Sequence, residues 1–359
     1  MKPAVHGGQI FAVARRLGIA PEEILDFSAS INPLGPAPTV REAVLAAFDR
    51  VVHYPDSAAS ELRERLAAGH DLAPNQLVVG NGSTELIHLL PRLLPKPAWR
   101  RALIVAPPFA EYARSLQTEG WHVDYFPLSA DDGFTLHADR LKHRLQGGYD
   151  LLVLANPGNP TGRLYRRREI APLVAEAAAA QVQCVIDEAF MDFCPAETAI
   201  PLLEQHQNLV ILRSLTKFHA IPGLRLGYAL AATPLATRLA ELREPWSINV
   251  LAQAAGLAAL EAHDHHAATM ELISRERTAL TISLGAIPGL TVFPGAANYL
   301  LLRLPQGIVG SALAAALEEQ RILIRTCGSF SGLDDSFVRI AVRSAAENRR
   351  LGDAIRHFL

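Results

Sequence analysis

Three observations predict an α/β fold built on a large, doubly wound, mostly parallel sheet with a smaller α/β unit behind it. At least five short apolar runs alternate with helical patterns between residues 77 and 215, the signature of parallel strands joined by crossover helices. The carboxyl ends of these runs open into loops rich in Gly, Pro, Asn and Ser, where open α/β sheets place their ligands. From about Pro245 the pattern changes to a long helical stretch reaching about Leu284, followed by new strands and helices. The expected division is an N-terminal arm over 1–35 packing on the small domain, a large domain over 36–250 and a small C-terminal domain over 251–359.

Charge and composition narrow the function. The 359 residues are 50% hydrophobic, and 34 Lys and Arg against 36 Asp and Glu give a net charge of -2. That balance argues against a partner held by charge, whether nucleic acid or membrane surface. No run approaches the roughly 18 apolar residues of a membrane span, and the first residues lack a signal-peptide pattern, so a cytoplasmic protein is expected. Cys184, Cys194 and Cys327 are too few and scattered for a disulfide framework or a thiolate zinc site. The cluster His263-Asp264-His265-His266 reads as a solvated helix face, because adjacent helical residues point in different directions. No metal is expected.

Along the chain, an amphipathic helix near Gln9 to Leu17 precedes "LDFSASINPLGP", where Asn32 before a proline presents an amide at fixed geometry. His6 precedes Gly7-Gly8. Two helices over 39–69 flank a break containing Tyr54-Pro55. A strand at Leu77 to Val79 turns through Gly80-Asn81-Gly82 into a helix opening at Ser83 and Thr84, and free amides at such a start form an anion site. The strand "RALIVA" delivers Phe109, as core filler or as a ring to stack on a planar ligand.

Three later strand ends carry more. A five-residue apolar run enters "NPGNPTG", whose prolines and glycines fix a tight loop aiming an asparagine amide back at the strand end. After an alanine-rich helix, "VQCVID" closes on Asp187, a carboxylate that needs a partner if buried there. Leu209 to Leu212 then leads into "RSLTKFHAIPGLRLGY". That segment sets Lys217 among Ser214, Thr216 and Arg225, with a bend at Pro222-Gly223. A desolvated lysine amine beside cations acts as a nucleophile toward aldehydes. Pyridoxal 5'-phosphate (PLP) needs such a lysine, phosphate donors and a carboxylate facing its ring nitrogen. In the C-terminal part, Arg325, Arg339 and Arg343 sit in or at the ends of strands, suited to bidentate capture of carboxylate or phosphate.

In order and spacing, "NPGNPTG", "DEAF", "SLTKFHAIPGLRLGY" and "VRIAVR" resemble the aminotransferase-like fold type I PLP enzymes. Within them the motifs are similar to the histidinol-phosphate aminotransferase branch and to its threonine-phosphate decarboxylases in particular, which share the opening "HGG", "LDFSASINPLGP" and "RTCGSFSGLDDSFVRIAVRSAAEN". The resemblance spans nearly the whole chain. It implies that Lys217 forms the Schiff base with PLP and shuttles protons, that Asp187 pairs with the ring nitrogen, that Asn159 bonds the ring hydroxyl and that Phe109 stacks on the ring. It implies a phosphate site of Ser83, Thr84, Ser214, Thr216 and Arg225, completed by Tyr54 from the other subunit of a homodimer. Arg339 and Asn32 would take the substrate α-carboxylate, and Arg325 and His6 the substrate's own phosphate, with Arg343 a further candidate for these anions. Phe190 stands where many aminotransferases have a tyrosine that donates to the ring hydroxyl, a departure shared with the decarboxylases.

The reaction implied is decarboxylation of L-threonine O-3-phosphate to (R)-1-amino-2-propanol O-2-phosphate and CO2, for the aminopropanol arm of cobalamin. The alternative is an aminotransferase acting on histidinol phosphate or a related phosphorylated amino acid. A PLP-binding regulator is disfavoured, because the 35-residue arm carries no basic helix-turn-helix pattern.

Overall fold

The computed structural model describes residues 6–94 and 100–359. Each central strand of the large sheet is apolar on both faces because helices cover both. In chain order the arm holds α1 (Ile10–Leu17) and β1 (Leu25–Asp26), followed by α2 (Pro38–Ala47) and α3 (Ser60–Ala68). The sheet elements are β2 (Leu77–Asn81), α4 (Gly82–Leu93), β3 (Arg101–Ala106), α5 (Ala110–Thr118), β4 (His122–Pro127), α6 (Ala138–Leu145), β5 (Leu151–Ala155), α7 (Arg167–Ala179), β6 (Gln183–Asp187), β7 (Leu209–Ser214) and β8 (Leu226–Ala231). They form a seven-stranded sheet in the order β2-β8-β7-β6-β5-β3-β4. The neighbours from β7 through β4 are parallel, and β8 runs antiparallel to both β2 and β7.

The two faces can be read residue by residue. Leu152 and Leu154 of β5, Ile186 of β6 and Ile211 of β7 point into one core cluster, while Leu151, Val153, Val185, Val210 and Leu212 point into the other. Each fully buried Leu, Ile or Val contributes roughly 1.5–3 kcal/mol, so the alternation clamps the sheet between its helix layers. Two strands are less visible in the sequence. Edge strand β4 is mostly solvent-accessible and is tied by Arg101 to Asp124 at 2.6 Å, and β8 follows the Lys217 loop directly. Neither gave an isolated buried run in the sequence.

After α8 (Thr233–Leu242), the long helical stretch is two helices, α9 (Val250–Leu260) and α10 (His263–Gly285), rather than one continuous element. Of the histidine cluster at the start of α10, His265 and His266 each bond a backbone carbonyl, of Gly35 and Ala259. The remaining elements are β9 (Thr291–Phe293), β10 (Tyr299–Arg303), α11 (Gly310–Glu319), β11 (Ile322–Leu323), β12 (Arg325–Thr326), β13 (Phe337–Ala341) and α12 (Ala345–Phe358). They include an antiparallel sheet in the order β12-β13-β10-β9. In the arm, β1 pairs in parallel with β11, Val13 and Ala14 of α1 pack with Ile24 and Leu323, and Arg16 reaches Glu318 at 2.6 Å. No described helix is long and apolar enough to cross a membrane.

Gly227 shows how tightly the sheet meets the start of α4. A Cβ there would lie 2.4 Å from the Ser83 amide nitrogen and 2.8 Å from the Arg213 carbonyl oxygen. Backbone on both sides leaves no flexible end to move aside. Gly227→Ala should therefore destabilise the protein by about 1–3 kcal/mol, read as a lower urea midpoint with an unchanged slope.

Candidate active site

The parallel register places several strand ends at one level. Ala155 of β5 lies opposite Asp187 of β6, which lies opposite Leu212 of β7. The loops leaving these ends, with the starts of α4 and α5, enclose a cavity of about 900 Å³. Its wall includes Ser83, Thr84, Phe109, Asn159, Asp187, Phe190, Lys217 and Arg225 from the large sheet, Arg325 and Arg339 from the small one, and His6 from the arm.

Lys217 donates from Nζ to Thr216 Oγ1 at 2.8 Å, and Thr216 Oγ1 is 2.8 Å from Ser214 Oγ. Burial first, and then the positive charges of Arg225 and Arg339, push its amine down to about 8, with Asp187 opposing. The loop is held from beneath by Asn32. Its backbone amide donates to the Lys217 carbonyl at 3.1 Å, and Nδ2 donates to the Phe218 carbonyl at 2.9 Å and to Thr269 Oγ1 at 2.8 Å.

Asp187 is buried, which raises its carboxyl above the ordinary range. The Tyr112 hydroxyl at 2.5 Å, the Ala189 amide at 2.9 Å and the charge of Lys217 act against that rise. Below the sheet edge, the buried Arg213 pairs with the buried Glu188 at 3.0 Å and with the partly exposed Asp192.

Arg225 adopts a left-handed backbone at φ 60°, and Gly82 sits at φ 75°. A Cβ on Gly82 would lie 2.5 Å from an Arg225 guanidinium nitrogen. Only glycine therefore lets that guanidinium lie over the start of α4, beside Ser83 and Thr84. The result is a cradle of helix-start amides, hydroxyls and one cation, the chemistry of a phosphate site.

Across the cavity, Arg325 and Arg339 are direct cross-strand partners on β12 and β13. Arg339 donates from Nη1 to Asn159 Oδ1 at 2.6 Å and from Nη2 to the Ser28 carbonyl at 2.7 Å, while its buried Nε has no hydrogen-bond partner. Arg325 donates to the Thr326 carbonyl and to Ser329 Oγ, both at 2.8 Å, and lies over the Phe330 ring at 4.9 Å. Like charges opposite one another in a sheet repel, and bound anions relieve that cost. Phe190 packs edge-on against Tyr299 with ring centroids 4.9 Å apart.

Five expected site residues lie off this wall. The Asn32 amide is consumed within the protein, so it fixes the lysine loop where substrate contact was expected. Arg343 donates to Glu347 Oε1 at 2.6 Å and to the Asp26 carbonyl at 3.2 Å and does not line the cavity. Tyr54 is 81% exposed against Trp246, outside the cavity of its own chain. Ser214 and Thr216 stand one layer behind Lys217. Tyr112, Ser28 and Glu111 were not anticipated. Tyr112 follows Phe109 by three residues, a helical spacing that marks the first turn of α5 as facing the same site.

The depressed amine has a consequence for stability. With a folded value near 8 against 10.5 unfolded, the unfolded chain binds more protons between these values, so the cost of burying the charged lysine is full below pH 8 and fades as pH rises. In the cofactor-free protein, Lys217→Met should be more stable than wild type at pH 7. The difference should shrink from pH 8 towards 10.5, as checked by denaturant midpoints across pH.

Residues 22–355 match the Aminotransferase class I and II family. The chain is 41% identical over 358 residues to threonine-phosphate decarboxylase of Salmonella typhimurium, covering 99% of this chain and 97% of that one. Its fold is similar to L-threonine-O-3-phosphate decarboxylase from Porphyromonas gingivalis, with a TM-score of 0.82, 29% identity and coverage of 93% and 99% of the two chains. It is also similar to histidinol-phosphate aminotransferase from Clostridium acetobutylicum, with a TM-score of 0.87, 28% identity and coverage of 94% and 100%. Family match, full-length identity and fold agree with the motifs around Lys217, and the chain belongs to the class I and II aminotransferase family.

Proposed function

We propose that this chain is a PLP-dependent carboxy-lyase that converts L-threonine O-3-phosphate to (R)-1-amino-2-propanol O-2-phosphate and CO2, serving the aminopropanol arm of cobalamin. The observation that carries this reading is the convergence of Lys217, Asp187 and the Arg325–Arg339 pair on one cavity, in a chain similar over its length to a threonine-phosphate decarboxylase.

The residues fit the cofactor. The Gly82–Arg225 cradle with Ser83 and Thr84 suits its phosphate, supported from behind by Ser214 and Thr216. Asp187, buried and in need of a positive partner, suits a protonated ring nitrogen. Asn159 is placed for the ring hydroxyl, and Phe109 offers a face to the ring. When bound, PLP supplies an electron sink for the charge left on the α-carbon as a bond to it breaks.

The rest is done by the chain. Arg339 grips the α-carboxylate, and Arg325 with His6 holds the phosphate. Two grips would fix the orientation of the substrate, and with it which bond to the α-carbon is set to break. Lys217, poised near neutrality, returns a proton to the α-carbon after CO2 leaves. Phe190 cannot donate to the ring hydroxyl, so Asn159 does so without the second donor of many aminotransferases.

A homodimer completes the reading. Leu45, Phe48, Val51, Val52 and Tyr54 are all exposed on one stretch, an apolar surface of the kind that marks an interface. Tyr54 would act at the partner's phosphate cradle. The three cysteines are free thiols, as a reducing compartment favours, and we place the activity in the cytoplasm.

The alternative, transamination of histidinol phosphate or a related phosphorylated amino acid, is favoured by the fold similarity to the aminotransferase. With PLP and L-threonine O-3-phosphate, CO2 release independent of added 2-oxoglutarate is expected. Glutamate formation without CO2 would establish the transaminase instead, and Lys217→Ala should abolish either activity. Val52→Asp should shift the protein to a monomer in sedimentation and lower its activity at least about tenfold.

A further inference from the structure

At the cavity mouth, Glu111 on the first turn of α5 is 4% exposed. Three side chains converge on its carboxylate, two from other elements and one from α5 itself. His6 Nε2, from the segment before α1, lies 2.9 Å from Oε1. His88 Nε2, from α4, lies 2.9 Å from Oε2. Arg114 Nη1 lies 3.4 Å from Oε1. An ionised carboxylate only accepts, so each ring presents an N–H from Nε2 to Glu111, and His6 meets a phosphate through an N–H at Nδ1. Burial raises the Glu111 carboxyl, but His88, Arg114 and His6 together outweigh burial and hold it below its ordinary range.

The segment carrying His6 is fastened at its other end to the arm. The Gly8 amide donates to Ser28 Oγ at 2.8 Å, and Ser28 Oγ donates to Asp26 Oδ1 at 2.6 Å. A Cβ on Gly7 would lie 2.1 Å from the Ser28 carbonyl oxygen, the same oxygen that accepts from Arg339. Residues 6–8 thus run from the Arg339 side of the cavity to α5 on the other side, and His6 also packs on Phe109 with centroids 5.6 Å apart. Two glycines restrain the backbone little. The position of the His6 ring is therefore set by the bonds the ring makes.

We propose that Glu111 is a positioning residue for the substrate's phosphate, holding His6 and the glycine segment across the cavity with His88 as a second support. This rests on the reading of the cavity as a site for a phosphorylated amino acid. Glu111 does not meet the substrate, and its effect passes through His6.

The test uses the PLP-loaded enzyme. Glu111→Gln keeps the shape but loses the charge and one acceptor oxygen, and should raise KM for L-threonine O-3-phosphate about tenfold with kcat within about twofold. His88→Ala, at a half-exposed position, should raise KM in the same direction by about threefold. The double variant His6→Ala/Glu111→Gln should be no worse than His6→Ala alone, because both changes remove one interaction. Without substrate, backbone amides of residues 6–11 should exchange with solvent about tenfold faster in Glu111→Gln.

Additive losses in the double variant would overturn action through His6, and so would unchanged KM and exchange in a wild-type-active background. A wild type inert to threonine phosphate, with faster exchange in Glu111→Gln, would overturn the recognition role and the substrate reading while leaving the clasp itself in place. Should Glu111→Gln fail to fold, His88→Ala alone and combined with His6→Ala carries the same cycle.

Discussion

The site depends first on the parallel register of β5, β6 and β7. Backbone hydrogen bonds between these strands hold Ala155, Asp187 and Leu212 level, and the two apolar cores clamp that ladder from both faces. Chemistry is then assigned to the few residues just past the ladder. The sheet supplies rigidity and the loops supply variety, so the geometry at Lys217 inherits the precision of a buried strand.

Burial that stabilises the sheet also sets the electrostatics. Lys217, Asp187, Arg339 and Arg325 occupy a region where water solvates charge poorly. The amine is pushed down and the carboxyl up for the same reason. Lys217 and Asp187 face the cavity, and the buried Nε of Arg339 has no hydrogen-bond partner. Arg213 instead pairs with Glu188 and Asp192, and Glu188 also accepts from Thr198 Oγ1 and the Ala199 amide. Their charges brace the lysine loop without facing the cavity, which separates them from the groups that act.

Much of this was legible in the sequence, for physical reasons. Buried strands read as apolar runs, and a lysine, carboxylate or asparagine directly after such a run has few places to go but the sheet edge. β4 and β8 were less legible because an edge strand alternates and β8 hides inside the lysine motif. Asn32 reads in the sequence as a substrate contact; its amide bonds Phe218, Thr269 and Leu34 within the chain, as an amide before a proline suits a loop as well as a ligand. Arg343 lies two residues beyond β13 and meets Glu347 on the following helix turn. Tyr112, Ser28 and Glu111 act through contacts between elements distant in the chain, such as Glu111 with His6 across 105 positions. No local pattern encodes a pairing of that separation.

The opposition of Arg325 and Arg339 limits which insertions and deletions the C-terminal sheet can absorb. Side chains alternate faces along β13, so gaining or losing one residue within Phe337–Ala341 would turn Arg339 away from the cavity and bring Val338 or Ile340 in its place. The same change at Ser331 or Gly332 of the preceding turn, past the Ser329 and Phe330 that hold Arg325, would alter only a connection. Length variation among descendants of this chain should therefore collect in that turn and be absent from the strand beside it, a constraint imposed by pairing geometry even where the substituted residue is chemically mild.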